Sequence, residues 1–293
     1  MFSIIIPSLN NLNYLKICIN SLRKNSKYSH QILVHVNIGS DGTKDFLKSN
    51  NITYTSSDEN IGLCEAVNLV SKKSIHDYIL YSHDDFYFCP NWDEAMLNEV
   101  KSIKHKNFYL SSTQVNTFGI DSLNCGNNNE EFNEKKLLAN INKKKFSDLQ
   151  GSTWAPHLVH KELWLKTGGF SEEFFPGAGS DPDFALKLWK IGVRIFKMIG
   201  SSKVYHFESK TLRDEKKFIY FSVKDLGSKS SKIFLKKWGI SIKFFKKHFL
   251  KANTLYTKEL DDPSLSVSYI LELLMCKLKL LYIKILNYKT NNE

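Results

Sequence analysis

Two aspartates stand side by side in Tyr81-Ser82-His83-Asp84-Asp85-Phe86, directly after the short apolar run Tyr78 to Tyr81. Hard divalent cations take oxygen ligands, and Mg²⁺ takes one or two protein carboxylates while water and substrate phosphates fill its remaining positions. An Asp pair at a strand end therefore suits a metal-bridged diphosphate. A solvated acidic turn, or a cap for a helix opening near Pro90, accounts for the same pair. A second cluster, Gly177-Ala178-Gly179-Ser180-Asp181-Pro182-Asp183-Phe184, delivers carboxylates on a flexible loop to a helix start. An aspartate there could take a proton from an attacking hydroxyl. It could equally cap the helix, with Asp181 as cap, Pro182 at the first position and Asp183 facing the helix dipole. His206, in Val204-Tyr205-His206-Phe207, has the chemistry of a metal ligand, although a lone histidine is more often a hydrogen-bonded structural residue.

These groups act together only if the chain gathers them. Apolar β-rich runs at Phe2 to Ile6, Ile32 to Val36, Ile52 to Thr55 and Tyr78 to Tyr81 alternate with helical periods such as Leu12 to Leu22 and Leu63 to Val70. That alternation predicts βαβ units, a mostly parallel sheet with helices on both faces, and ligands at the carboxyl ends of the strands. The segments leaving those ends are Ser8 to Asn11, Gly39 to Gly42, Ser57 to Asn60 and Ser82 to Asp85, so four loops should share one rim. Residues 116 to 150, rich in Asn and Lys, read as a long loop or an acceptor-facing insertion. A strand at Thr153 to Val159, a turn at Gly168-Gly169, a helix from Asp181 to about Ile191 and a short strand at Val204 to Phe207 complete the pattern.

At 293 residues and 33.9 kDa the chain can bury a full-sized core, and 42% apolar with 24% charged residues excludes disorder and fibrous repeats. Five cysteines, an odd number without a CxxC pair, argue against a disulfide framework or structural zinc and fit a reducing cytoplasm. MFSIIIPSLNN has no basic residue ahead of its short apolar run, and Lys277, Lys279 and Lys284 interrupt the most apolar segment, so neither export nor a membrane span is expected. The net charge of +11 is unevenly spread: residues 1–209 hold 23 basic and 22 acidic residues, 210–251 hold 13 and 3, and 252–293 hold 5 and 5. That shift marks a domain boundary near 210.

In this order the motifs resemble the family 2 glycosyltransferases, whose nucleotide-diphospho-sugar-binding domain has the GT-A fold. The resemblance spans about residues 2 to 209. Ser3 to Asn10 is similar to the family's first strand and nucleotide loop, and Ser40-Asp41-Gly42-Thr43-Lys44-Asp45 to its Asp-Asp-Gly-Ser-x-Asp segment with Ser40 in place of the first acid. Asn60-Ile61-Gly62 with Asn68 matches an Asn-x-Gly turn and the helix behind it, and Pro90-Asn91-Trp92 a Pro-x-Trp helix opening. The Asp pair aligns with D-x-D so that His83 replaces the first acid, Asp84 is the middle residue and Asp85 the last. Gly168-Gly169-Phe170-Ser171-Glu172-Glu173-Phe174-Phe175 matches Gly-Gly-Phe-Asp-Glu-x-Phe, and Ser180-Asp181 keeps only the Asp of the family's Glu-Asp pair.

The resemblance implies an inverting glycosyltransferase of the EC 2.4 class, acting in cell-surface glycan or polysaccharide synthesis. It implies Asp181 as base, Asp85 and His206 as ligands of Mn²⁺ or Mg²⁺, and Pro7, Ser8, Asn10, Asp41, Asn60, Gly62, His83, Asp84 and Gly169 as the nucleotide-sugar contacts. The donor would be a UDP-sugar and the acceptor a glycan or lipid-linked hydroxyl. Two other classes are open: an inactive nucleotide-sugar-binding module, because His83 and Ser180 replace acids, and a nucleic-acid-binding protein acting through the basic tail, which lacks a recognised nucleic-acid motif. The catalytic domain would be 1–209 and the basic, mainly helical region 210–293. There, Lys236, Lys237, Lys243, Lys246 and Lys247 would face anionic headgroups while Trp238, Phe244 and Phe245 enter a membrane interface. Leu265 to Leu286 would pack on the catalytic domain or form a homodimer.

Overall fold

The computed structural model describes residues 1–116, 122–126, 128–207 and 223–290. Of the expectations above, parts of the 116–150 stretch and the first part of the basic region, 208–222, lie outside these residues. The described chain forms a mixed sheet flanked by helices. The strands are β1 Phe2–Leu9, β2 Gln31–Asn37, β3 Thr53–Ser57, β4 Tyr78–Tyr81, β5 Phe86–Phe88, β6 Phe108–Val115, β7 Leu149–Gln150, β8 His157–His160 and β9 Ile195–His206. Their order is β3-β2-β1-β4-β8-β6-β9-β5, with β7 against β9.

Strands β1 to β4 pair in parallel, as the βαβ pattern requires. The burial of β1 fits its central place: Phe2, Ile4, Ile5 and Ile6 are all fully covered, with helices on both faces of the sheet. Edge strand β3 is Thr-Tyr-Thr-Ser-Ser, polar and half-exposed, a composition that tolerates an open edge. Antiparallel β8 turns the sheet between β4 and β6. It begins at His157, so the expected strand over 153–159 forms only in its second half.

Helix α1 (Leu12–Asn25) buries Leu15, Cys18, Ile19 and Leu22 on one stripe, and α2 (Gly62–Ser71) buries Cys64, Val67 and Val70. Residues 116–150 are not a plain loop. The helix Glu134–Ile141 places Leu137 and Ile141, four residues apart, on one face, where they join Cys125, Tyr87, Tyr205 and Phe207 in a small second core.

The tail also departs from expectation. The helices Val223–Trp238 and Ile242–Phe244, with the turn Phe245–Phe249, lay Phe234, Phe244 and Phe245 into buried positions, and Trp238 packs against the main core. Phe244 and Phe245 are therefore packed into the body and not turned to a membrane, and half-buried Trp238 lays its ring against the same core. Among the lysines assigned to headgroups, Lys247 pairs with Glu272 and Lys237 with Glu173 and Asp183.

Candidate active site

The four strand-end loops converge and are laced together by their own side chains. Asn10 Oδ1 accepts from the Ser40 amide at 2.9 Å, and Asp41 Oδ2 accepts from the Leu12 amide at 2.8 Å. The other oxygen of Asp41 takes the Thr43 hydroxyl at 2.6 Å. Asn37 accepts from the Ile61 amide at 3.1 Å, and Asn60 from the Gly62 amide at 2.9 Å. Ser8 donates to Asp84 Oδ2 at 2.7 Å, which ties the β1 loop to the Asp pair. Asp41, Asn10, Asn60 and Asp84 thus hold the shape of the rim, while Pro7 lies within β1, in register with His35 of β2.

Glycines on this wall permit close approach. Gly169 sits at φ +67°, and a Cβ there would lie 2.3 Å from Asn68 Oδ1. Asn68 uses that proximity to clasp residue 170, accepting from the Phe170 amide at 2.9 Å and donating to its carbonyl at 2.8 Å. At Gly62 an added Cβ would meet the Phe175 ring at 2.6 Å.

His83, Asp85 and His206 form one cluster whose ligand atoms all lie within 4.8 Å of one another. His83 Nδ1 is 3.9 Å from Asp85 Oδ1, and His206 Nε2 is 3.4 Å from Asp85 Oδ2. Antiparallel register sets this meeting: Phe86 on β5 pairs with His206 on β9, so the strand that follows the Asp pair carries it to the histidine. His206 Nδ1 lies 3.2 Å from Gln114 Oε1, a partner that favours the proton on Nδ1 and leaves Nε2 turned toward Asp85. Burial pushes the His83 imidazole down to about 4, so the ring is neutral at physiological pH, the form that binds a metal. One carboxylate and two imidazoles fit a divalent cation. Asp84, its carboxylate turned to Ser8, is outside this cluster.

Asp181 is the second residue of the helix Ser180–Lys190, whose N-cap is Gly179. It is therefore not the cap expected from the sequence; Gly179 at φ +87° takes that place, and Pro182 falls at the third position. Freed from capping, one Asp181 oxygen, Oδ1, is buried without a hydrogen-bond partner, 3.8 Å from His157 Nδ1. A quarter of the side chain reaches solvent. Burial raises the carboxyl to about 7, and only the charge of Lys246 opposes this. Lys246, expected on a headgroup-facing surface, is half-buried and close enough for its charge to act on Asp181.

The metal-fit cluster and Asp181 belong to one site. The Tyr81 ring packs on His83 at 5.4 Å and on His157 at 5.1 Å, and both Asp181 and Asp85 act on its hydroxyl through space. His157, Tyr109, which bonds to His157 Nδ1 at 2.8 Å, Gln114 and Lys246 are members that sequence reasoning missed. A histidine inside an apolar strand was the available signal for His157; nothing local points to the others.

Asp183 faces away from this chemistry. Fully buried, it accepts from Ser171 Oγ at 2.6 Å and Trp238 Nε1 at 2.8 Å, and Lys237 Nζ lies 3.0 Å away. Its carboxylate clamps the tail helix onto the helix that carries Asp181.

The family model for glycosyl transferase family 2 matches residues 3–155, just over half the chain. The chain belongs to that family. Solved structures agree on the fold. Staphylococcus aureus TarS 1-349 in complex with UDP-GlcNAc superposes with a TM-score of 0.55 at 13% identity, over 86% of this chain and 67% of that one. GalNAc-T7 with UDP, GalNAc and Mn²⁺ gives 0.54 at 14% identity, over 70% and 43%. A further structure of S. aureus TarS gives 0.54 at 14%, over 80% of this chain and 43% of that one. No curated protein matches in sequence. The family 2 chain is thus a glycosyltransferase with the GT-A fold.

Proposed function

We propose that this glycosyltransferase moves a sugar from a nucleotide-diphosphate donor to an acceptor hydroxyl with inversion, in cell-surface glycan synthesis. The observation that carries the reading is the continuity of Asp85, His83, Tyr81, His157 and Asp181 in one site. A UDP-sugar is the favoured donor, since TarS and GalNAc-T7 are structures with UDP-GlcNAc and with UDP and Mn²⁺.

In this reading residues 1–209 carry the donor-binding, metal-binding and base residues, and the tail supports them through Lys246 and Trp238. The laced rim of Ser8, Asn10, Asp41 and Asn60 presents a rigid cradle to the nucleotide, and Gly62 and Gly169 let Phe175 and Asn68 close against the backbone beside the sugar. Asp85 and His206, joined by His83, would hold Mn²⁺ or Mg²⁺, which when bound neutralises charge on the departing diphosphate. Asp181, buried enough to be a stronger base than an ordinary carboxylate, accepts the proton of the acceptor hydroxyl as its oxygen attacks the anomeric carbon. The proton ends on Asp181, and one displacement inverts the centre.

A panel of UDP-, GDP- and dTDP-sugars, screened for Mn²⁺-dependent thermal stabilisation and then for transfer, tests the donor class. The anomeric configuration of the product, read by NMR, tests the mechanism: retention removes Asp181 from the base role.

A further inference from the structure

The last described helix, Val267–Thr290, is apolar on two opposite faces. Tyr269, Leu273, Cys276, Leu280 and Ile283 form the inner one and pack with Phe244 and Leu235. Val267, Ile270, Leu271, Leu274, Met275, Leu278, Leu281, Tyr282 and Ile285 form the outer one, and each is roughly half to three-quarters exposed, Leu278 by 65% and Val267 by 74%. At about 100° per residue these nine side chains fill an arc roughly 140° wide, running some 28 Å along the helix. Ordinary surface helices leave isolated apolar residues in water, not a continuous stripe of this length.

Charge decides what covers it. Lys277, Lys279 and Lys284 are exposed, and on the same wheel they flank the stripe, Lys277 and Lys284 along one edge and Lys279 along the other. The helix itself carries one carboxylate, Glu272, and it turns inward to Lys247 and His248. A second copy docking on this face would set lysines against lysines without a counter-charge. Apolar side chains bordered by long cations instead match a bilayer surface, where the lysine stems reach from the acyl boundary to anionic headgroups. No described helix is long and apolar enough to cross a membrane, so the fit is to a helix lying in the plane of the surface.

We propose that the outer face of Val267–Ile285 is a docking surface for an anionic lipid bilayer, holding the enzyme at a membrane through residues other than the core-packed Trp238, Phe244 and Phe245.

The full chain is mixed with vesicles of phosphatidylcholine alone or with phosphatidylglycerol and sedimented. Wild type should pellet with the anionic vesicles and stay in solution with the neutral ones. L274S/L278S/L281S, which touches only exposed side chains, should bind at least about tenfold more weakly, and K277Q/K279Q/K284Q should lose roughly tenfold or more on anionic vesicles only. Leu278→Trp offers a readout independent of these losses, a blue-shifted emission on adding anionic vesicles. Pelleting of the triple serine variant equal to wild type, or unshifted emission from Leu278→Trp, overturns the proposal. So does a wild-type dimer in light scattering that the serine substitutions convert to monomer without change in vesicle binding.

Discussion

The two sides of the site are built by different kinds of contact. On the metal side, His83 and Asp85 leave one strand end two residues apart, and strand register alone brings His206 to them. On the base side, Asp181 rides on a helix whose neighbouring acid, Asp183, is pinned by Trp238, 55 residues further along the chain. The matched family segment ends at 155, so the whole base side lies beyond it. Backbone hydrogen bonds fix the first group; a buried side-chain clamp between distant segments fixes the second. Positions set by a sheet tolerate change in the tail, and positions set by a clamp do not.

Removing the reactive group from each side is the strongest probe of that contrast. Asp181→Asn keeps the shape and deletes the base, so transfer should fall by about 10³-fold or more while donor affinity, measured by titration calorimetry, stays within a factor of about two. Near-normal turnover would take Asp181 out of the chemistry. Asp85→Asn should act through binding instead: the Mn²⁺ concentration needed for donor-dependent stabilisation should rise at least about 100-fold. An unchanged metal requirement would dissolve the cluster as a functional unit.

The clamp itself gives a smaller effect of a diagnostic kind. Trp238→Phe retains the ring against the core and removes the N–H that Asp183 accepts, leaving a buried carboxylate short of one partner. We expect a loss of about 1–2 kcal/mol in unfolding free energy and roughly a tenfold fall in kcat from displacement of the Asp181 helix. The donor KM and the Mn²⁺ requirement should not move, because the metal side is set by the sheet. A parallel change in all of these quantities would show that both sides share one support and erase the difference between them.

The same division explains what could be read from the residues alone. Strands and loops of the first 90 positions follow from periodicity, because a parallel sheet buries whole apolar runs and leaves polar turns at one end. Asp85 and His206 were visible as residue types at strand ends, and the β5–β9 register that joins them needs only local pairing. His83 stood in the place of an acid, and its membership of the metal-fit cluster depends on a ring orientation that spacing does not encode. Asp181 could be named but not its setting: burial against His157 and the charge of Lys246 come from tertiary packing. The tail was misread because amphipathic helices with lysines look the same whether the apolar stripe meets lipid or the body of the protein. Phe244 and Phe245 meet the body; the outer stripe of the last helix remains exposed.

The mildest test uses acidity. Burial holds the Asp181 carboxyl near 7, against an ordinary value of 3.8. Because the raised value means that the folded protein binds this proton more tightly than the unfolded chain, the stabilisation is complete below pH 3.8 and is lost as pH rises through 7. Above that, the folded state carries a partly buried charge at a cost on the order of 2 kcal/mol, reduced from the full linkage value because a quarter of the side chain meets solvent. Asp181→Asn has no such charge, so its thermal stability relative to wild type should rise steadily from pH 4 to pH 7 and level off a few degrees higher by pH 8.5. Wild-type turnover should rise through pH 7 as the base deprotonates. A pH-independent difference in stability between the two proteins would mean that the carboxyl is solvated like any surface aspartate, and the base side would then owe nothing to the packing that Trp238 and Asp183 maintain.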